Sequence, residues 1–332
     1  MKIQLLIGIC QSDYAEHLSR VLAEKHADVF EVIVCSKPEL LGQTMDKRRF
    51  DAALLDGEMA GAADLSAVRL PLLVWDGASP LEGVAQDLPR VRKYQRISAI
   101  SSDVVERYAA ISGPQESFQS SRAKITAVWS PAGGSGKTAV ALALAARRAA
   151  QGRQTVYLDL EPFSALQSYF KEPGKSISGV FEKLDGDVAL LFQGIRQRDS
   201  ASGVYYFGAP MNYDDMNILT PEDVARLLEG CAANADEVVV DLGSACDGRT
   251  RKILNLADQV WLVGDGSMVC RAKCHQFRTQ HDVYGEIAPK LTVVANRGAR
   301  NVALPEEREL SLPKVNADDP AAVYRALAEY IQ

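Results

Sequence analysis

Ile125-Thr126-Ala127-Val128-Trp129-Ser130-Pro131-Ala132-Gly133-Gly134-Ser135-Gly136-Lys137-Thr138 decides how the rest of this chain is read. Its first five residues form an apolar run of strand length. The next nine are rich in glycine and close on Lys-Thr. From Thr138 to Ala150 alanine dominates, a strong helix former, and Gly152 ends the stretch. Strand, glycine-rich turn, Lys-Thr and helix together read as a phosphate-binding loop. Glycine lets backbone N–H groups turn toward phosphate oxygens where a β-carbon would obstruct them. The helix N-terminus adds partial positive charge at the same point. The expected cradle is Gly133, Gly134, Ser135, Gly136, Lys137, Thr138 and Ala139. Lys137 would reach the outer phosphates and is the first candidate catalytic residue. The Thr138 hydroxyl would ligate Mg2+.

Composition bounds the alternatives. The chain has 332 residues, enough for two cores, and a net charge of −6. That balance disfavours a broad nucleic-acid or anionic-lipid surface. No long uninterrupted apolar span occurs, and the start at Met1-Lys2-Ile3 shows no cleavage signal, so a cytoplasmic location is expected. Six cysteines, at 10, 35, 231, 246, 270 and 274, show no paired spacing and give no disulfide framework. Cys270, Cys274 and His275 fall in a helical pattern without the further ligands a structural zinc site needs.

The stretch 111–123 is polar, with Gly, Pro and Ser, and reads as a linker between a domain at 1–110 and another at 124–332. Before it, strand candidates at 3–9, 31–34, 52–55, 72–75 and 93–97 alternate with helical patterns. Asp13 with Glu16 reads as a capping box on the first helix. After the linker, candidates fall at 125–129, 155–160, 204–207, 238–242, 260–263 and 291–295. The alternation predicts an α/β protein: a small flavodoxin-like domain, then a mostly parallel sheet covered on both faces. In such sheets ligands gather at the C-terminal strand ends. Asp159 and Glu161 end one strand, spaced so that both carboxylates point the same way. Asp241 ends another and would support a metal. Asn296 ends a third, where an Asn suits a turn.

The Gly-Gly-x-Gly-Lys-Thr core resembles the deviant phosphate loop of the ParA/MinD ATPases. Two positions depart from the pattern: Pro131 stands where the general motif has Gly, and Ala132 where that family carries a second lysine reaching its partner subunit. The resemblance implies ATP and Mg2+ as cofactors and a homodimer. It assigns Asp159 to water-mediated support of Mg2+, Glu161 to orienting the attacking water, Asp241 to the metal and Asn296 to the adenine edge. With Ala132 in place of the lysine, slow or absent basal hydrolysis is expected.

Asp51 to Met59 resembles the third strand of a response-regulator receiver, with Asp56 at the phosphorylation position and Lys93 near the family's lysine. Ile9 and Cys10 stand where a receiver has its acidic pair, which implies a degenerate receiver used for docking. A receiver-like domain followed by such an ATPase domain is similar to the TadZ/CpaE family. That resemblance implies localisation of the assembly machinery of tight-adherence (Flp, type IVb) pili. It also implies protein partners in the pilus secretion apparatus and recruitment to a cell pole or the inner face of the membrane. Val323, Leu327, Tyr330 and Ile331 fall at helical spacing in a tail with one Arg and one Glu. A packed helix accounts for them better than strong membrane binding. A DNA-partition ATPase, a non-hydrolysing nucleotide-binding scaffold and a phosphorelay output protein remain the alternatives. No specific nucleic-acid partner is expected.

Overall fold

The computed structural model describes residues 2–78, 83–112 and 123–332; most of the expected linker, 113–122, lies outside the described residues. The chain divides into two compact units, Met1–Gln115 with Asp185–Gly194, and Glu116–Leu184 with Ile195–Gln332. This differs from a single boundary at 111–123, because residues 185–194 join the first unit. They begin an apolar helix, Val188–Ile195. The Asp187 N–H donates to the Ala109 carbonyl at 3.1 Å. A β-carbon on Gly194 would stand 2.6 Å from Val105 Cγ1, so glycine permits the close approach.

Five strands form the first sheet: β1 (Ile3–Gly8), β2 (Phe30–Cys35), β3 (Ala52–Leu55), β4 (Leu70–Trp75) and β5 (Arg90–Arg92). Their order is β2-β1-β3-β4-β5 and every pairing is parallel. This is the flavodoxin-like doubly wound order. β5 lies at Arg90–Arg92 and not at 93–97, where Ile97 instead opens the helix Ile97–Ser112. An edge strand needs only one buried residue, here Val91 between two exposed arginines, so its pattern is faint. The first helix, Ser12–Lys25, has Gln11 at its N-cap with no side-chain bond. Asp13 therefore does not cap it but sits in the first turn, where its charge complements the helix dipole.

The second sheet contains β6 (Lys124–Trp129), β7 (Thr155–Asp159), β8 (Gln197–Arg198), β9 (Tyr205–Tyr206), β10 (Glu237–Asp241), β11 (Gln259–Gly264), β12 (Leu291–Ala295) and β13 (Arg308–Ser311). Its order is β13-β12-β11-β6-β10-β7-β9-β8, and the β8–β9 pair alone is antiparallel. β7, β10 and β12 are buried at every residue, which is why they read as unbroken apolar runs. β8 and β13 are short or largely exposed and leave no such trace.

The helix Lys137–Ala150 buries Val140 to Ala146 without interruption. Its alanines let it lie close to the sheet, and the C-terminal helix Pro320–Ala328 packs against it. Tyr324, Leu327 and Ile331 enter that core while Tyr330 stays exposed. The apolar face of the tail is thus used in packing. Among the described residues no helix is long and apolar enough to cross a membrane.

Candidate nucleotide site

Strand order builds the site. The loop after β6 has β10 and β7 on one side and β11 and β12 on the other. Each of these strands ends at the same edge because all run parallel. Gly134 and Gly136 adopt φ of +74° and +90°, in the region that glycine occupies at no steric cost. Gly136 then caps the helix that begins at Lys137.

On the β10/β7 side the acidic residues converge. Asp241 and Asp159 are direct partners in the parallel register. Asp159, Glu161 and Asp241 each offer a carboxylate oxygen, and the three lie within 4.8 Å of one another. The Tyr157 hydroxyl donates to Asp241 Oδ2 at 2.8 Å. Asp159 accepts from the Glu161 N–H at 2.9 Å and from the Ser164 hydroxyl at 2.6 Å. Burial, then the charges of Asp159 and Glu161, pushes the Asp241 carboxyl up to about 8, with the Thr138 and Tyr157 hydroxyls opposing. Burial also raises Asp159. Glu161 rises through burial and then Asp159, with Lys137 opposing. Lys137, 7% exposed, donates from Nζ to Ser244 Oγ at 3.2 Å and stands 3.9 Å from Glu161 Oε1.

Two buried oxygens here have no partner among the described residues: Asp241 Oδ1 and Ser135 Oγ. A native interior rarely leaves such atoms unpaired. Three clustered acids, two of them raised by a neighbouring carboxylate, with an orphan carboxylate oxygen among them, suit a hard divalent cation with oxygen ligands. The donor set therefore fits Mg2+. Asp159 and Asp241, expected as metal residues, are in it together with Glu161. Thr138 faces Asp241 from the first turn of the helix Lys137–Ala150.

Asn296 opens the turn 296–299, one of the two roles expected of it. It is buried, and its Nδ2 donates to the Ser135 carbonyl at 2.9 Å while its Oδ1 accepts from the Arg297 N–H at 2.9 Å. Nδ2 and Oδ1 each make one bond that braces the loop, which leaves the amide one further N–H and one further lone pair. Ala132 is also buried, against Cys270 and Cys274. Those thiols lie 4.0 Å apart, buried, while His275 on the same helix is exposed. The three acids form the one group suited to a metal among the described residues.

Tyr157, Ser164 and Ser244 were not singled out in the sequence. Tyr157 could have been, since it lies two residues before Asp159 on the same strand and so shares its face.

In the first unit, Asp56 Oδ2 accepts from the Cys10 N–H at 2.7 Å and Oδ1 from the Met59 N–H at 3.0 Å. It caps the short helix Gly57–Ala60. Lys93 donates to Gln11 Oε1 at 2.9 Å, its ammonium 5.1 Å from the rings of both Tyr14 and Tyr94. Neither the lysine nor an acidic pair stands ready to balance a phosphorylated Asp56. Acetyl phosphate with Mg2+ is expected to leave Asp56 unmodified in a phosphate-affinity gel; a retarded band lost in Asp56→Asn would contradict this.

Comparison with solved structures finds one that shares the fold over part of this chain, and others of weaker likeness. A ParA-family ATPase from Chlorobium tepidum superposes with a TM-score of 0.52 at 18% identity, covering 63% of this chain and 92% of that one. The septum site-determining protein MinD of Pyrococcus horikoshii, solved with Mg-ADP, gives 0.48 at 14% identity, covering 62% and 95%. ParA of pNOB8, solved on nonspecific DNA, gives 0.42 at 15% identity, covering 54% and 69%. No protein-family model and no curated protein sequence matches the chain.

Proposed function

We propose that this chain binds ATP with Mg2+ at the loop 133–139 and acts as a homodimeric, nucleotide-controlled switch. In this reading it positions the assembly machine of a tight-adherence (Flp, type IVb) pilus. The observation that carries the nucleotide part is the unpartnered Asp241 Oδ1 beside a buried lysine and two further acids. The pilus part rests on the domain order and the incomplete phosphate loop. Lys137 would exchange Ser244 for the outer phosphates. Asp159 and Asp241 would hold the cation, whose charge offsets that of the phosphates. Glu161 would orient water, and its carboxylate would first have to leave Lys137.

No second lysine serves the loop, because position 132 carries a methyl group packed on two thiols. Hydrolysis by the purified protein is expected on the order of 10⁻³ s⁻¹ or below, the range of phosphate-loop enzymes that lack a supplied cation. Phosphate release under single-turnover conditions measures it, and fast turnover would refute the slow switch. Sedimentation with a non-hydrolysable ATP analogue tests the dimer. Loss of surface fimbriae on deletion in the native host, unrescued by Lys137→Ala, tests the pilus role. A salt-dependent shift of nonspecific DNA would instead favour a partition ATPase, against the net charge of −6.

A further inference from the structure

On the β11/β12 side of the loop, opposite the acids, one residue occupies a conformation that its own chemistry disfavours. Arg297 has φ of +59° and Gly298 has +70°. They are the two central residues of a turn closed by the Ala299 N–H donating to the Asn296 carbonyl at 3.1 Å. Turns with two positive φ values favour Asn, Asp or Gly at the first central position. An arginine there is strained by the contact of its β-carbon with its own backbone.

The strain aims a cation at the phosphate loop. Arg297 Nη2 lies 4.0 Å from the point where a β-carbon on Gly136 would stand. The side chain is half-exposed, and the ion pair it makes with Asp265 is long, 3.9 Å from Nη1 to Oδ2. Such a pair contributes little and is readily exchanged. The metal-suited acids and the Lys137 ammonium lie toward β10 and β7. A nucleotide with its outer phosphates there has its nucleoside on the Arg297 side.

We propose that Arg297 binds the nucleoside end of the ligand, its guanidinium plane lying on the purine face, with Asp265 as its partner when the site is empty. This deepens the nucleotide reading and rests on it. Arginine suits the task because its planar cation stacks on aromatic faces, which an ammonium does less well.

Arg297→Gly tests this, because glycine adopts the turn without strain and the fold is expected to be retained, with an unchanged or raised Tm. The probes are a fluorescent ATP analogue, displaced by ATP or by inorganic tripolyphosphate, each with Mg2+. The variant should lose about tenfold in affinity for ATP, the scale of one stacked base, while tripolyphosphate competes as it does against the wild type. Unchanged ATP affinity would overturn the proposal, and so would an equal loss for tripolyphosphate, which would place the guanidinium on the phosphates. If wild type binds neither probe, the nucleotide reading itself fails and takes this inference with it. Lys137→Ala, expected to lose both probes, separates that case from a local failure.

Discussion

Replacing Lys137 with alanine is expected to lower the affinity for Mg-ATP by about 10² to 10³-fold, the range for removing one member of a buried charge pair. The ammonium is nearly enclosed, yet its neighbours are one hydroxyl at 3.2 Å and one carboxylate at 3.9 Å. That is thin compensation for burying a cation, and a phosphate would supply what is lacking. The free protein therefore has little to lose from the truncation. Its Tm without ligand should stay within a few degrees of wild type. A thermal scan with saturating Mg-ATP reads the difference: wild type gains stability through binding, and the variant does not. A variant whose Tm still rises with ATP would show that Lys137 is not at the ligand.

Gly136→Ala should act on fold and site together. The residue holds φ of +90°, which costs a β-carbon-bearing residue about 1–2 kcal/mol. The new methyl would also meet Asn296 Nδ2 at 2.4 Å and push it from the Ser135 carbonyl, leaving two buried polar groups unpaired. A total near 3–4 kcal/mol is expected, or about 10 °C in Tm for a unit of this size. Gly133→Ala is the control, since a methyl there meets nothing within 4 Å and φ is not positive. It should leave Tm nearly unchanged. Equal Tm losses in the two variants would mean that the Asn296 brace does not hold the loop.

The loop and the strands flanking it were legible because local signals agreed there: an apolar run, glycines where φ turns positive, and an alanine-rich helix. Asp159 and Asp241 were legible from a strand's end marking the sheet's ligand-binding edge. Of the hydroxyls around them, Tyr157 and Ser164 lie within five residues of Asp159, but Ser244 reaches Lys137 across 107 residues, and no local pattern encodes that meeting. Asn296 was read by its chemistry alone. Its orientation is set by the turn that follows it and by the missing β-carbon of Gly136. β5 was misplaced because a three-residue edge strand buries a single valine. Asp56 and Lys93 directly follow β3 and β5, but capping and two tyrosine rings already occupy them.

Residues 185–194 give the polypeptide an interleaved ownership: the backbone passes from one unit to the other three times. One proteolytic nick near residue 116 would not free an intact N-terminal half, because a helix of that half would remain on the other fragment. The severed C-terminal piece would carry Val188, Leu191 and Phe192, buried residues that belong to the first unit, and would tend to aggregate once parted from it. Co-expressed halves would therefore be needed where a single excised domain might have been attempted.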